Sequence, residues 1–305
     1  MAALSSDSWG VGRGDSDNDV IRIFSQMFKP FKITSDEIDL VLADGTADKN
    51  FSDLYEELAK SLRTTLSSDV IKQTLIDGTR LQEEWFPQDI GHFDVFISHS
   101  KLDMTKVKQF SYWLNKNLGL RCFVDSVFWK YSNKLIEKLD EGYCRYYDRA
   151  AKKFLYRYSK RNITTANVHC MLTMALMKMM DSCEMVVFVD SDNSIKYDHD
   201  SKKTPSPWIY EEIEMANMLP SRLPRRRVRD SKLDYLNESE LKMFSKGVES
   251  FTFMYDAKLK GFSELTADML QRAKRRNEQK TPIATDSLDA IYRLVKQVQG
   301  ERFFL

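Results

Sequence analysis

Glu212 is the residue whose type and spacing most directly suggest chemistry. It follows Trp208 by four positions in the segment from Trp208 to Leu219. At about 100° per residue, the apolar side chains of this segment fall on one helical arc, and Glu212 lies inside that arc. A carboxylate on an apolar face is costly unless it is paired, hydrogen-bonded or placed at the floor of a cleft where it meets a ligand, and burial raises its pKa. The helix alone leaves a second interpretation open, in which Glu212 lies at the margin of the apolar arc and its carboxylate reaches solvent or bonds a neighbouring loop.

Local signals define the helix that carries this acid. Ser206 is a good N-cap, and Pro207 suits the first helical position because its missing N–H costs nothing there. Pro220 marks the end. The sequence therefore predicts a helix over the segment that contains Glu212.

Polar side chains follow an apolar strand that is predicted earlier in the chain. Phe93 to Ile97 are nearly continuous β-formers, which favours a central parallel strand buried on both faces. Ser98, His99 and Ser100 come directly after it, where ligands gather in parallel sheets.

Similar apolar runs recur, each ending in an acid, with helical stretches between them. This alternation predicts an α/β fold with a short parallel sheet. The further runs are Cys122 to Asp125, Met185 to Asp190 and Phe251 to Asp256.

Taken together and in order, four blocks of the sequence resemble the TIR (Toll/interleukin-1 receptor) domain, and within that family the bacterial proteins of phage defence. The resemblance implies a flavodoxin-like fold with a short parallel β-sheet flanked by helices. It covers roughly residues 89 to 220 and extends to a last strand near 251 and a helix near 287–298. The four blocks are 93–100, 122–126 with Trp129, 182–190 with Ser194, and 206–213.

The resemblance implies an activity for the acid described above. NAD-cleaving TIR domains use the Glu of a Trp-x-x-x-Glu pattern, which here is Glu212 after Trp208. A carboxylate beside the ribose would stabilise an oxocarbenium-like transition state while the nicotinamide leaves. The products would be nicotinamide and either ADP-ribose or a cyclic ADP-ribose signal, with NAD as substrate rather than cofactor. The alternative is a non-enzymatic TIR adaptor that acts through protein–protein assembly and in which Glu212 is a structural acid.

The resemblance also implies a set of substrate-binding residues. Strand-end turn chemistry, helix capping and ordinary packing are the alternative roles for them. The set consists of His99, Ser100, Lys101, Asp125, Trp129 and Trp208.

Three regions are predicted along the 305 residues. A flexible tail covers 1–16, and an N-terminal helical region covers 17–88, where an apolar stripe from Phe51 to Leu62 needs a partner surface. Residues 89–305 form the TIR domain, with a Tyr-rich and basic helical insertion near 143–165. Within that insertion we expect an amphipathic helix with Phe154 and Tyr158 facing inward, in preference to a nucleic-acid or nucleotide site.

Charge and composition limit the partners. The formal net charge is only +1, so no overall electrostatic field attracts the protein to nucleic acid or to a membrane. The basic run Arg222 to Arg229 is interpreted as a solvated loop. The chain has no long apolar run and no signal-peptide core, which predicts a cytoplasmic protein. Its cysteines include no Cys-x-x-Cys pair, so no metal is expected. The expected partners are NAD, further copies of the TIR domain, and an unidentified activator or downstream effector.

Overall fold

A computed structural model describes residues 30–43, 75–87, 90–198, 201–220, 253–277 and 281–298. The predicted flexible tail 1–16, the apolar stripe from Phe51 to Leu62 and the basic run Arg222 to Arg229 lie outside these residues.

Strands and helices alternate through most of the described chain. In chain order the elements are β1 (Pro30–Thr34), α1 (Ser35–Leu42), α2 (Gly78–Trp85), β2 (Val95–Ser98), α3 (Met104–Leu118), β3 (Cys122–Val124), α4 (Ser126–Leu139), β4 (Arg145–Asp148), β5 (Lys153–Tyr156), α5 (Tyr158–Ser182), β6 (Met185–Asp190), β7 (Lys196–Asp198), β8 (Ser201–Thr204), α6 (Pro207–Met218), β9 (Tyr255–Asp256), β10 (Ser263–Glu264), α7 (Ala267–Asn277) and α8 (Ala284–Val298).

A five-stranded parallel sheet forms the centre, in the order β10-β1-β6-β2-β3. All four neighbouring pairs run parallel. Strand β6 is buried at every position, which explains its continuous apolar sequence. The predicted α/β fold with a parallel sheet flanked by helices is therefore confirmed at this level.

Successive side chains of each strand face opposite sides of the sheet, so two apolar cores form. Phe96 and Phe188 face one core, which α2, α4, α5 and α6 cover. Ile97 and Val187 face the other core, which α1, α3, α7 and α8 cover. The sheet is thus the middle layer of three.

The N-terminal region contributes a strand, which the sequence did not predict. Within the range 17–88 that was expected to be mainly helical, Pro30–Thr34 pairs with β6 on one side and β10 on the other. Phe31 and Ile33 are buried. Thr34 already caps α1 through its side chain, so the strand passes into a helix without the turn residues that would separate them in sequence.

The last strand of the sheet also differs from the prediction. Within the run from Phe251 to Asp256, the residues that the structure describes supply β9. This strand pairs antiparallel with β8, and β8 pairs with β7, in a separate three-stranded sheet. The parallel sheet ends instead at Ser263–Glu264. Two residues are too few to show a strand periodicity in sequence.

The basic insertion begins as a hairpin rather than a helix, so that prediction is wrong in part. Strands β4 and β5 pair antiparallel, because their tyrosines and phenylalanine are strong β-formers and residues 149–152 form the turn. Phe154 and Tyr158 were expected to face inward, yet they are 55% and 66% exposed. Helix α5 starts only at Tyr158.

Two helix predictions are confirmed. Helix α6 begins at Pro207 with Ser206 as its N-cap and ends at Met218. Helix α8, expected near 287–298, spans Ala284–Val298.

Candidate active site at the carboxyl ends of the strands

Helix α6 carries Glu212 into the protein interior. The Ser206 hydroxyl accepts a hydrogen bond from the backbone N–H of Ile209 at 3.3 Å, which fixes where the helix starts. Glu212 is 2% exposed, and Ile209 and Ile213 on the same helix are also buried. The acid therefore lies on the apolar face, as its position in the helix predicted.

Ser98, the last residue of β2, contacts this acid directly. Its hydroxyl donates a hydrogen bond to Glu212 Oε2 at 2.5 Å. Within the described part of the chain, Glu212 Oε1 is buried and has no hydrogen-bond partner. Burial first, and then the negative charge of Asp125, raise the Glu212 pKa well above its ordinary value, while the Ser98 hydrogen bond opposes this rise.

His99 and Asp125 form a second buried pair beside Glu212. His99 Nδ1 lies 2.8 Å from Asp125 Oδ1, and the two side chains are 1% and 5% exposed. The ring N–H is not well aligned with the carboxylate, so the contact is mainly one of charge. Asp125 Oδ1 also accepts a hydrogen bond from the Ser126 N–H at 2.6 Å, at the start of α4.

The negative charge of Asp125 raises the pKa of both titratable side chains that face it, His99 and Glu212. Burial lowers the pKa of His99, but the charge of Asp125 and its interaction with the ring outweigh burial and leave that pKa raised. Both shifts favour the protonated side chain, which limits the free-energy cost of burying His99 and Glu212 beside the Asp125 carboxylate. A cation that approached Glu212 would favour its ionised form.

The loops that follow β2 and β6 are tied together next to this cluster. The Ser191 hydroxyl donates to Asp103 Oδ2 at 2.5 Å, and the Asn193 amide donates to Asp103 Oδ1 at 2.7 Å. The Ser194 hydroxyl donates to the Val189 carbonyl at 2.8 Å. These bonds fix the end of β2 relative to β6, and so help to place Ser98 and His99.

Of the remaining predicted site residues, Ser100 and Trp208 have other contacts. Ser100 is buried and its hydroxyl accepts from the Leu102 N–H at 3.4 Å, whereas Lys101 is exposed on the following turn. Trp208 is half-buried. Its ring meets the ring of His169 on α5 edge to face, with the ring centroids 4.8 Å apart. Trp129 lies on α4, and its side chain is outside what the structure describes.

Sequence reasoning identified three of the four clustered residues and missed the fourth. Glu212, His99 and Asp125 were all candidates, and the fold brings them together. Ser98 was noted among the polar residues at the end of the apolar strand but was not selected as a site residue, although its position as the last, buried residue of that strand is a signal that could have been used. Asp103 gave no such signal, because its partners are about 90 residues away.

Among the residues that the structure describes, no group of three or more His, Cys, Asp and Glu side chains is placed to hold a metal ion. In the same part of the chain, no helix is both long enough and apolar enough to cross a membrane. Comparison with family models, with curated proteins and with solved structures found no match for the chain.

Proposed function

We propose that this protein is a TIR-type enzyme that cleaves NAD at the nicotinamide–ribose bond, with Glu212 as the catalytic carboxylate. The observation that carries the proposal is the buried Glu212, bonded by Ser98 and placed beside Asp125. The setting is cytoplasmic antiviral defence, and self-association through the TIR domain or an activator would control the activity.

The order of the strands supports the flavodoxin-like arrangement that a TIR domain requires. If β2 is counted as the first strand, β3, β2 and β6 lie in the order second, first, third, as in flavodoxin-like sheets. The N-terminal β1 then occupies the fourth position and β10 the fifth. Ser98 and His99 follow β2 at the point where the strand order reverses, which is where ligands bind in such sheets.

A cationic substrate would change the charge of the cluster by favouring the ionised form of Glu212. The nicotinamide ring of NAD is a cation, and it leaves as a neutral molecule while positive charge develops on the ribose. That charge would stabilise the ionised form of Glu212, and the carboxylate would in turn stabilise the oxocarbenium-like ribose. Attack by water then gives ADP-ribose and releases one proton, whereas attack by the substrate's own adenine or ribose gives a cyclic product.

The burial of Glu212 supports an enzyme whose resting state is closed. At 2% exposure, the carboxyl group meets a substrate only after the surrounding segments move. Assembly or an activator would supply that change, so activity should rise more steeply than in proportion to protein concentration.

The same burial favours a second candidate function, a non-enzymatic TIR adaptor. In that case Glu212 and its neighbours would only join α6 to the strand ends, and the protein would act through its surfaces. The adaptor and the enzyme differ in whether Glu212 is needed for turnover of NAD.

The test is to incubate the full chain with NAD over a range of protein concentrations and to resolve the products by chromatography and mass spectrometry. Glu212→Gln is the test variant, because the amide keeps the shape and can still bond Ser98. Glu214→Gln is the matched control, since Glu214 lies on the same helix but pairs with Lys258 at its surface.

Release of nicotinamide by the wild type and by Glu214→Gln, with a loss of at least about 100-fold in Glu212→Gln, would support the enzyme. The co-product would distinguish hydrolase from cyclase. Equal turnover by wild type and Glu212→Gln would refute the role of Glu212. If concentrated wild-type protein shows no turnover, the adaptor becomes the better account.

A further inference from the structure

The hairpin of β4 and β5 presents an exposed face of aromatic rings. Residues that are paired across an antiparallel ladder share a face, and Arg145 pairs with Tyr156 while Tyr147 pairs with Phe154. Tyr147, Phe154 and Tyr156 are 53%, 55% and 42% exposed, and Arg145 is exposed beside them. The opposite face, with Tyr146 and Leu155, is partly buried against the protein.

These rings are held in a fixed arrangement. Tyr147 and Phe154 meet edge to face, with their centroids 5.2 Å apart. The Arg145 guanidinium lies 3.9 Å from the centre of the Phe154 ring. Rings that are already ordered lose little conformational entropy when a ligand stacks on them.

The base of the hairpin is anchored to the end of α4 and the start of α5. The Arg157 N–H donates to the Cys144 carbonyl at 2.9 Å, and Arg161 Nε donates to Asp140 Oδ2 at 2.7 Å. Asp140 also accepts from the Thr164 hydroxyl at 2.6 Å. The exposed face therefore projects from a rigid support.

The segment is strongly basic in a chain that is nearly neutral. Between Tyr143 and Arg161 there are seven Lys and Arg side chains and a single acid, Asp148, whereas the whole chain carries a net charge of +1. Positive charge is thus concentrated around the rings. The basic residues are Arg145, Arg149, Lys152, Lys153, Arg157, Lys160 and Arg161.

We propose that this ring-bearing face of the hairpin binds single-stranded nucleic acid. Stacking of bases on exposed aromatic side chains, together with basic side chains that contact the phosphates, is the general basis of such binding. The inference replaces the expectation that the protein has no nucleic-acid partner. It rests on the hairpin alone and stands whether or not the protein cleaves NAD.

A membrane surface fits this hairpin less well. A loop that enters a bilayer needs apolar side chains at its tip, but the tip here carries Asp148, Arg149 and Lys152. The rings lie on the exposed face of the hairpin, away from its tip, where the bases of an extended single strand can stack on them.

The test is fluorescence anisotropy with the full chain and labelled homopolymers of thymidine or uridine of about 20 nucleotides. We expect a micromolar Kd at low salt. The double variant Tyr147→Ala/Phe154→Ala should bind at least about tenfold more weakly. Arg145→Gln should weaken binding. It should also reduce, by about one, the magnitude of the negative slope of the logarithm of the association constant against the logarithm of the salt concentration.

Tyr197→Ala is the matched control, because Tyr197 lies on β7 and is 67% exposed, and it should bind as the wild type does. Thermal unfolding of each variant shows whether it is folded. The proposal is overturned if the wild type does not bind the homopolymers, if folded Tyr147→Ala/Phe154→Ala binds equally well, or if duplex DNA binds as tightly. Binding only to vesicles that contain phosphatidylserine would likewise overturn it.

Discussion

The Ser98 hydroxyl donates a 2.5 Å hydrogen bond to Glu212 Oε2 across 114 positions of sequence. This bond joins the end of a central strand to the middle of α6. It favours the ionised acid, while burial and the charge of Asp125 favour the protonated one. The protonation state of Glu212 therefore depends on Ser98 as well as on burial.

Replacing Ser98 by alanine should destabilise the protein in a pH-dependent way. The Glu212 carboxyl would lose its donor, and its pKa would rise further. We expect the free energy of unfolding to fall by about 1–3 kcal/mol, and by more at about pH 8 than at about pH 5, because the ionised acid needs the donor most. Guanidinium unfolding at the two pH values measures this.

The control for this experiment is Ser182→Ala, since the Ser182 hydroxyl bonds only within the last turn of α5. Its effect should be small and the same at both pH values. An equal loss for Ser98→Ala at both pH values would contradict the link between Ser98 and the Glu212 pKa.

Glu212→Gln should stabilise the protein at neutral pH. A group whose pKa is higher in the folded state than in the unfolded state contributes stability that is fully present below the unfolded pKa. This stability is lost as pH rises through the folded pKa. For Glu212 the carboxyl group is therefore best tolerated in acid, and the amide gains its advantage as pH rises. We expect a gain of about 1 kcal/mol near pH 7 that disappears near pH 4.

Chemical unfolding of Glu212→Gln and wild type across this pH range gives the measurement. Glu214→Gln should show no such trend, because Glu214 is partly exposed and pairs with Lys258. A variant that is less stable than the wild type at every pH would mean that the acid is a structural requirement rather than a burden on the fold.

Gly119 is required at the end of α3. Its φ of +68° is in the left-handed region, and a Cβ there would lie 2.6 Å from the Pro282 carbonyl oxygen, just before α8. Gly119→Ala should therefore lower the free energy of unfolding by about 2 kcal/mol or more. Gly78→Ala is the control, because a Cβ there meets only Met171 at 3.5 Å. Equal melting temperatures for the two variants would refute this prediction.

The sequence predicted those elements whose signals are local. Ser206 and Pro207 marked the start of α6, and continuous apolar runs marked β2, β3 and β6. In contrast, β10 has only two residues, and its place in the sheet depends on pairing with a strand more than 200 positions earlier. No pattern within either segment specifies that pairing.

The hairpin shows how composition misled the secondary-structure prediction. The spacing of Phe154 and Tyr158 fits one face of a helix, but Phe154 is a β-former that pairs with Tyr147 across a short turn, and the helix starts only at Tyr158. At the site, Glu212 was selected from its place on the apolar face of a helix and from the resemblance to the TIR domain, and His99 and Asp125 were selected from that resemblance. Their mutual geometry was not predictable, since it arises from the order of strands in the sheet.

Asp125→Asn should lower the pKa of both His99 and Glu212. The amide would no longer stabilise the imidazolium, so burial would lower the His99 pKa below its wild-type value, and Glu212 would lose a negative neighbour. NMR titration of the imidazole resonances tests the first effect, with the His99 signal assigned by His99→Gln.

His169 is an internal control for this titration, because burial against α6 lowers its pKa and Asp125 is not among the causes of that shift. Its midpoint should stay the same in wild type and Asp125→Asn. The interaction with Asp125 that raises the His99 pKa also stabilises the folded wild type below about pH 6.5. This stabilisation is lost as pH rises through the folded-state pKa of His99. An unchanged His99 midpoint in Asp125→Asn would show that the short contact between the two side chains carries no charge interaction.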